Sequence, residues 1–210
     1  MGDNAWFGNN FGGVSFAPSG FGESFLDQVR SGGILNSMFV EGITGSLPIG
    51  RTSSLPFWTI STTSGTGSAS LTQGTFYPGG QYVACGFGGI GVTTTNAVWL
   101  TCDQFPVEPG GSIYLRYATE FNVAAGAVVV WPTIRFLRVD GSVIGLDHSG
   151  AMTTQTINTS LAYYGSTADA ITVPVNARFA TVTVKSYETT THSASNEARI
   201  CMVEVKPAAL

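Results

Sequence analysis

The 210-residue chain is predicted to be an all-β jelly-roll β-sandwich with an extended N-terminal arm. Three observations carry that expectation. Apolar and polar side chains alternate from Val130 to Val139, the period of a strand with two unlike faces, and Asp140-Gly141 follows as a hairpin signal before a second short apolar run. The same pattern recurs along most of the chain, in short segments broken by Gly, Pro and Asp. No long helical period and no internal repeat appear.

The candidate strands follow in order. ILNSMFVEGI (34–43) is read as the first, and a loop with Gly45, Pro48 and Gly50 leads to PFWTIST (56–62). GSASLTQ (67–73), GQYVACGF (80–87) and NAVWLTC (96–102) come next, and Pro106 and Pro109-Gly110-Gly111 turn the chain into SIYLRYATEF (112–121). AVVVWPTIRFLRV (127–139) and SVIGL (142–146) flank the Asp-Gly turn, and a polar stretch runs from Thr153 to Thr159. DAITV (169–173), ARFATVTVKSYE (177–188) and EARICMVEV (197–205) close the chain. Alternation also assigns faces, because successive side chains of a strand point to opposite sides. Ala180, Val182 and Val184 should face the core and Thr181, Thr183 and Lys185 the outside. Ile113, Leu115 and Tyr117 should oppose Tyr114, Arg116 and Glu120. Val130, Ile134 and Phe136 should oppose Trp131, Thr133 and Arg135.

Residues 1–33 differ from the rest. Trp6, Phe7, Phe11, Phe16, Phe21 and Phe25 are spaced by Gly, Asn, Ser and Pro. Glycine leaves the backbone free while the rings favour burial, so such a segment builds no core of its own. It is read as an anchoring arm that buries its rings in a groove of its own domain or of a neighbour; the alternative is a disordered tail. Within it, Glu23 to Arg30 has the pattern of a short helix, with Glu at its start, Arg at its end and Gly32-Gly33 to stop it. The domain division expected is an arm over 1–33 and a sandwich over 34–210.

Composition narrows the function classes. Charged residues make up only 10% against a usual share of about 25%, which fits a protein packed against partners in an assembly or one outside the cell. Net charge is −4 with two lysines, so no basic patch exists to neutralise a phosphate backbone and nucleic-acid binding is not expected. No apolar run reaches the roughly 18–20 residues of a membrane span, and the N-terminus lacks the basic-then-apolar pattern of a secretory signal. Cys85, Cys102 and Cys201 are an odd set without short spacing, read as buried free thiols, with a Cys85–Cys102 bridge between neighbouring strands as the alternative.

Several motifs invite chemistry that their context refuses. Gly86 to Gly91 matches G-x-G-x-x-G, but Val92 to Asn96 is poor helix material, so no helix N-terminus is offered to a phosphate. Asp147-His148-Ser149 are neighbours in sequence, which does not make a triad, and the segment is read as a solvated loop. Asp140 and Asp147, or Glu188 and Glu197, invite a glycosidase reading, but Asp140 is used by its turn and the two glutamates flank a polar loop. No enzyme activity, cofactor or metal site is expected. Asn158-Thr159-Ser160 matches a glycosylation acceptor and carries little weight without a signal peptide.

Three pieces in order resemble the carbohydrate-binding modules of the cellulase-associated type, a galactose-binding-like jelly roll. They are ILNSMFVEG (34–42) with LPFWTIS (55–61), FPVEPGGSIYLRYATEF (105–121) continuing into TIRFLRVDGSVIG, and VPVNARFATVTV (173–184) with ARICMVEV (198–205). The likeness covers residues 34 to about 206. The family's last strand usually carries a pair of aspartates, one of which helps hold a structural calcium; Cys201 and Met202 stand there in this chain, and the family's early Glu falls on Val40 with Glu41 one place on. Calcium wants hard oxygen ligands, so the departure speaks against a calcium site. The family stacks aromatics on sugar faces, which implies Tyr114, Arg116, Glu120, Trp131 and Arg135 as a glycan platform. The alternative is that the same rows pack on the arm or on a neighbouring subunit, since Trp is enriched at interfaces.

The functional expectation is a structural protein of a tailed-phage virion, such as a capsid decoration or a head- or tail-attached protein assembled in the host cytoplasm. It would bind other virion proteins and copies of itself through Trp6, Phe7, Phe11, Phe16, Phe21 and Phe25. The alternative is a glycan-binding adhesion module of a tail tip or hydrolase, meeting a host-surface glycan.

Overall fold

The computed structural model describes residues 34, 37–63, 67–74, 80–87, 97–189 and 193–208. Its strands in chain order are β1 (Gly45–Leu47), β2 (Gly50–Arg51), β3 (Trp58–Thr62), β4 (Ser68–Gln73), β5 (Gln81–Gly86), β6 (Ala97–Cys102), β7 (Phe105–Pro106) and β8 (Ser112–Asn122). They continue as β9 (Val128–Leu137), β10 (Val143–Ser149), β11 (Thr153–Gln155), β12 (Ala162–Tyr164), β13 (Ile171–Thr172), β14 (Phe179–Glu188) and β15 (Glu197–Pro207). A seven-stranded sheet has the order β1-β4-β5-β15-β8-β12, with β13 also on β8. An eight-stranded sheet has the order β10-β9-β14-β6-β3-β2, with β11 on β9 and β7 on β14. The two form the expected β-sandwich, with every pairing antiparallel.

The alternation places the core as the sequence predicts. Ala180, Val182 and Val184 of β14 are buried while Thr181, Thr183 and Lys185 are partly exposed. Leu115, Tyr117 and Phe121 from β8 meet Val130, Ile134 and Phe136 from β9 in one cluster between the sheets. Tyr117 belongs to one sheet and its hydroxyl reaches toward the other, 2.7 Å from Thr153 Oγ1 and 3.0 Å from the Ala151 carbonyl. A buried phenol needs such partners, since an unmatched hydroxyl in the core is costly.

The Asp140-Gly141 turn joins β9 to β10. Gly141 N–H donates to the Arg138 carbonyl at 3.0 Å, Arg138 N–H donates to the Ser142 carbonyl at 2.9 Å, and Asp140 Oδ1 accepts from Ser142 N–H at 2.9 Å. Gly141 has φ +80, so the loop has three residues closing on a left-handed glycine. A capping box at Ser166 and Asp169 holds the 3-10 turn Thr167–Asp169.

The structure corrects the sequence at several elements. The described residues of segment 34–43, which are 34 and 37–43, are in no strand. Phe39 lies in the left-handed region at φ 59 and drives its ring into the core, 5.3 Å from the Trp58 ring. The Ser37 carbonyl accepts from Val203 N–H at 2.9 Å. A single bond thus covers the flank of β15 beyond the reach of β5, whose pairing ends at Ile200. Strands β1, β2, β7, β11 and β12 have three residues or fewer, too few for periodicity to show. Cys85 and Cys102 are free and stand in opposite sheets, not on neighbouring strands, because the chain crosses the sandwich between β5 and β6. Burial pushes both thiols up to about 12. The arm over 1–33, its six rings and the helix over 23–30 lie outside the described residues.

Candidate functional site

The five residues implied as a platform do not meet. Tyr114, Arg116 and Glu120 project from the outer face of β8, in the seven-stranded sheet. Trp131 and Arg135 project from the outer face of β9, in the eight-stranded sheet, with the core between the two groups. The reason is the connection from Val123 to Ala127, which is an arch between sheets and not a hairpin within one. Asn196, almost fully buried, holds it: its Oδ1 accepts from Ala124 N–H at 2.7 Å and Ala125 N–H at 3.2 Å, and its Nδ2 donates to the Ala125 carbonyl and to Glu188 Oε1, each at 2.7 Å. Asn158 adds a bond from Val123 N–H to its Oδ1 at 2.6 Å.

The outer face of the seven-stranded sheet is largely closed on itself. Ala118, Cys201 and Met202 are buried there as a small second cluster, packed by Met38, Tyr82 and Leu161. Burial also raises the Cys201 thiol. Cys201 and Met202 are therefore part of an apolar cluster and offer no hard oxygen ligand. Around it Arg199 pairs with Glu120 at 2.7 Å and Glu197 at 2.5 Å, and lies over the Tyr82 ring at 5.5 Å. Arg116 lies over the Tyr163 ring at 4.8 Å. Glu120 and Arg116 thus already have partners within the chain.

The outer face of the eight-stranded sheet is organised differently. Register aligns Ser61 on β3, Trp99 on β6, Lys185 on β14 and Trp131 on β9 in one row across four strands. Lys185 Nζ stands 5.2 Å from the Trp99 ring centroid and 5.1 Å from that of Trp131. Both tryptophans are only partly buried. Two strand spacings separate them, roughly 10 Å. Beside this row lies a row of hydroxyl residues, Thr59, Thr101, Thr183, Thr133 and Ser149, again in register, of which Thr133 is buried with its hydroxyl donating to the Thr183 carbonyl at 3.3 Å. Thr101 Oγ1 and Thr183 Oγ1 are 3.0 Å apart. Beyond it, Arg135 Nε and Nη2 donate to Asp147 Oδ1 and Oδ2 at 2.7 and 3.0 Å. The fork holds Asp147 below the usual carboxylate range and raises Arg135.

Trp99 and Lys185 belong to this face and not to the platform implied from sequence. The signal for each was present: Trp99 alternates with Val98 and Leu100, and Lys185 continues the outward row of Thr181 and Thr183. What periodicity does not carry is that β6, β14 and β9 are neighbours.

The remaining flagged groups are engaged locally. Asp147 and His148 lie on β10, a strand and not the loop expected, with His148 edge-on to Phe136 at 5.3 Å. Glu188 is fully buried and accepts from Ser193 N–H at 3.0 Å as well as from Asn196. Residues 88–91 of the glycine-rich loop and His192 lie outside the described residues.

No protein-family model matches the chain, and no curated protein sequence does. Among solved structures the chain is similar to the enzymatically active domain of tailspike protein 4 of bacteriophage CBA120, at 17% identity and TM-score 0.50, over 72% of this chain and 19% of that one. It is also similar to the C-terminal family 22 carbohydrate-binding module of Clostridium thermocellum Xyn10B, at 15% identity and TM-score 0.47, over 80% of this chain and 95% of that one. The family 22 xylan-binding domain of Paenibacillus barcinonensis Xyn10C aligns at 11% identity and TM-score 0.45, over 80% and 98% of the two chains. This chain spans less than a fifth of the tailspike chain, and at such identities the likeness is one of fold. The functional reading rests on the residues of the two faces.

Proposed function

We propose that this chain is a glycan-binding module whose ligand crosses the outer face of the eight-stranded sheet along Ser61, Trp99, Lys185 and Trp131. The single observation that carries the reading is two partly exposed tryptophans held in one cross-strand register beside a row of hydroxyls. The apolar C–H face of a pyranose ring packs on an indole, and hydroxyl side chains exchange hydrogen bonds with sugar hydroxyls. The sheet fixes both sets before a ligand arrives, which lowers the entropy cost of binding. The seven-stranded sheet offers less, because Arg199 is already held by Glu120 and Glu197 and the middle of the face is an apolar cluster packed by Met38 and Leu161.

The module is read as a binder and not a catalyst. Arg135 occupies Asp147, Arg199 occupies Glu197, and Glu188 is buried on Asn196. A virion setting is a second reading, favoured by the aromatic and glycine-rich composition of residues 1–33. The two are compatible: an arm that attaches and a sandwich that binds sugar. Deleting residues 1–33 should then abolish particle attachment and spare glycan binding.

Affinity electrophoresis against a panel of polysaccharides tests the main reading. Trp99→Ala and Trp131→Ala should each weaken retention at least tenfold, since a buried aromatic contact is worth about 1.5 kcal/mol or more. Tyr114→Ala, on the opposite face, should leave it unchanged. The reverse pattern would move the site to the seven-stranded sheet.

A further inference from the structure

The charges of the tryptophan face are unevenly matched. Three cations stand on its strands, Arg51, Arg135 and Lys185. Arg51 closes a fork on Asp103 at 2.9 and 2.6 Å, and Arg135 closes another on Asp147. Lys185 pairs with no carboxylate among the described residues; its ammonium stands between two indole rings. Among the described residues the face therefore keeps one net positive charge at the middle of its aromatic row, on a chain whose overall charge is −4.

We infer that this row selects an acidic polysaccharide, whose carboxylate or sulfate group meets Lys185 Nζ while flanking sugars pack on Trp99 and Trp131. The inference rests on the glycan reading above and adds the ligand's charge class. Rings attract an ammonium through their negative faces, but they leave its N–H donors without strong acceptors. An anion supplies the missing acceptor at the site where the rings already hold the donor. Lys185 helps to hold Asp147 in its charged form, but the carboxylate itself is paired with Arg135 in a two-pronged fork. A neutral glycan would leave the donors to water, so the cation would add nothing to its affinity.

The test uses the full chain with three polymers at low salt: polygalacturonate (carboxylate), dextran sulfate (sulfate) and neutral xylan. Lys185→Met keeps the hydrocarbon stem between the rings and removes the charge. It should lower the ratio of acidic to neutral affinity about tenfold, the value of one charge-assisted hydrogen bond. Lys185→Arg should restore most of that ratio. Added salt should erode binding of the acidic polymer and spare that of xylan. Preference for polygalacturonate assigns a carboxylate and preference for dextran sulfate assigns a sulfate; either supports the inference. An equal affinity for xylan that Lys185→Met does not shift overturns it and leaves the glycan reading standing. If none of the three binds, or if binding survives Trp131→Ala, the glycan reading falls as well.

Discussion

The outer face of the seven-stranded sheet and that of the eight-stranded sheet are built from strands with the same alternation, and they end in different states. On the first, Met202 and Cys201 are buried against Ala118 under Met38, and Arg199 gathers Glu120 and Glu197. On the second, Trp99 and Trp131 stay partly exposed around a lysine that has no carboxylate partner among the described residues. An outward position is therefore not the same as a free one. What decides is whether another part of the chain lies over the sheet, and here Met38 and Leu161 pack on one face.

That contrast can be broken most forcefully at Met202. Met202→Lys buries an ammonium in the small apolar cluster and should cost about 3 kcal/mol, whereas Thr183→Lys on the other face should change stability by less than about 0.5 kcal/mol. Urea unfolding midpoints of the two variants measure the difference; equal values would mean that both faces are open. The arch that parts the two faces is the next place to press. Asn196→Ala removes four hydrogen bonds around Ala124, Ala125 and Glu188 and should cost about 2 kcal/mol, because groups left buried without partners lose their full solvation. A loss below about 0.5 kcal/mol would show that the arch holds without it.

The smallest effect is electrostatic. Arg135 keeps Asp147 below its ordinary range, so the pair favours the folded state above the carboxyl's unfolded-state pKa. That contribution disappears as pH falls through the lower folded-state value. With Arg135 half exposed, it should amount to less than about 1 kcal/mol. An NMR titration of Asp147 should find its midpoint rising toward the ordinary carboxylate value in Arg135→Gln. No movement would mean that the fork is not populated in solution.

Much of the sandwich was legible residue by residue. The faces of β8, β9 and β14 and the turn at Asp140-Gly141 follow from local alternation and turn chemistry. Segment 34–43 carries apolar residues that look like a strand, while Phe39 adopts a left-handed backbone to reach Trp58. The candidate row is legible in parts: the alternation puts Trp131 and Lys185 on outward faces, but it does not single out Trp99 and does not show that Tyr114, Arg116 and Glu120 lie on the other sheet. An arch and a hairpin follow strands with identical alternation, and the asparagine that selects the arch lies about 70 residues further on.

From its own residues the chain determines which side chains turn inward and which outward, because a two-residue period belongs to a single strand and is enforced by burial wherever that strand is placed. Which outward side chains become neighbours was decided only by the tertiary structure. Trp99, Lys185 and Trp131 lie far apart in sequence and meet because three distant strands pair side by side, an arrangement set by long-range register and connections for which no local pattern codes.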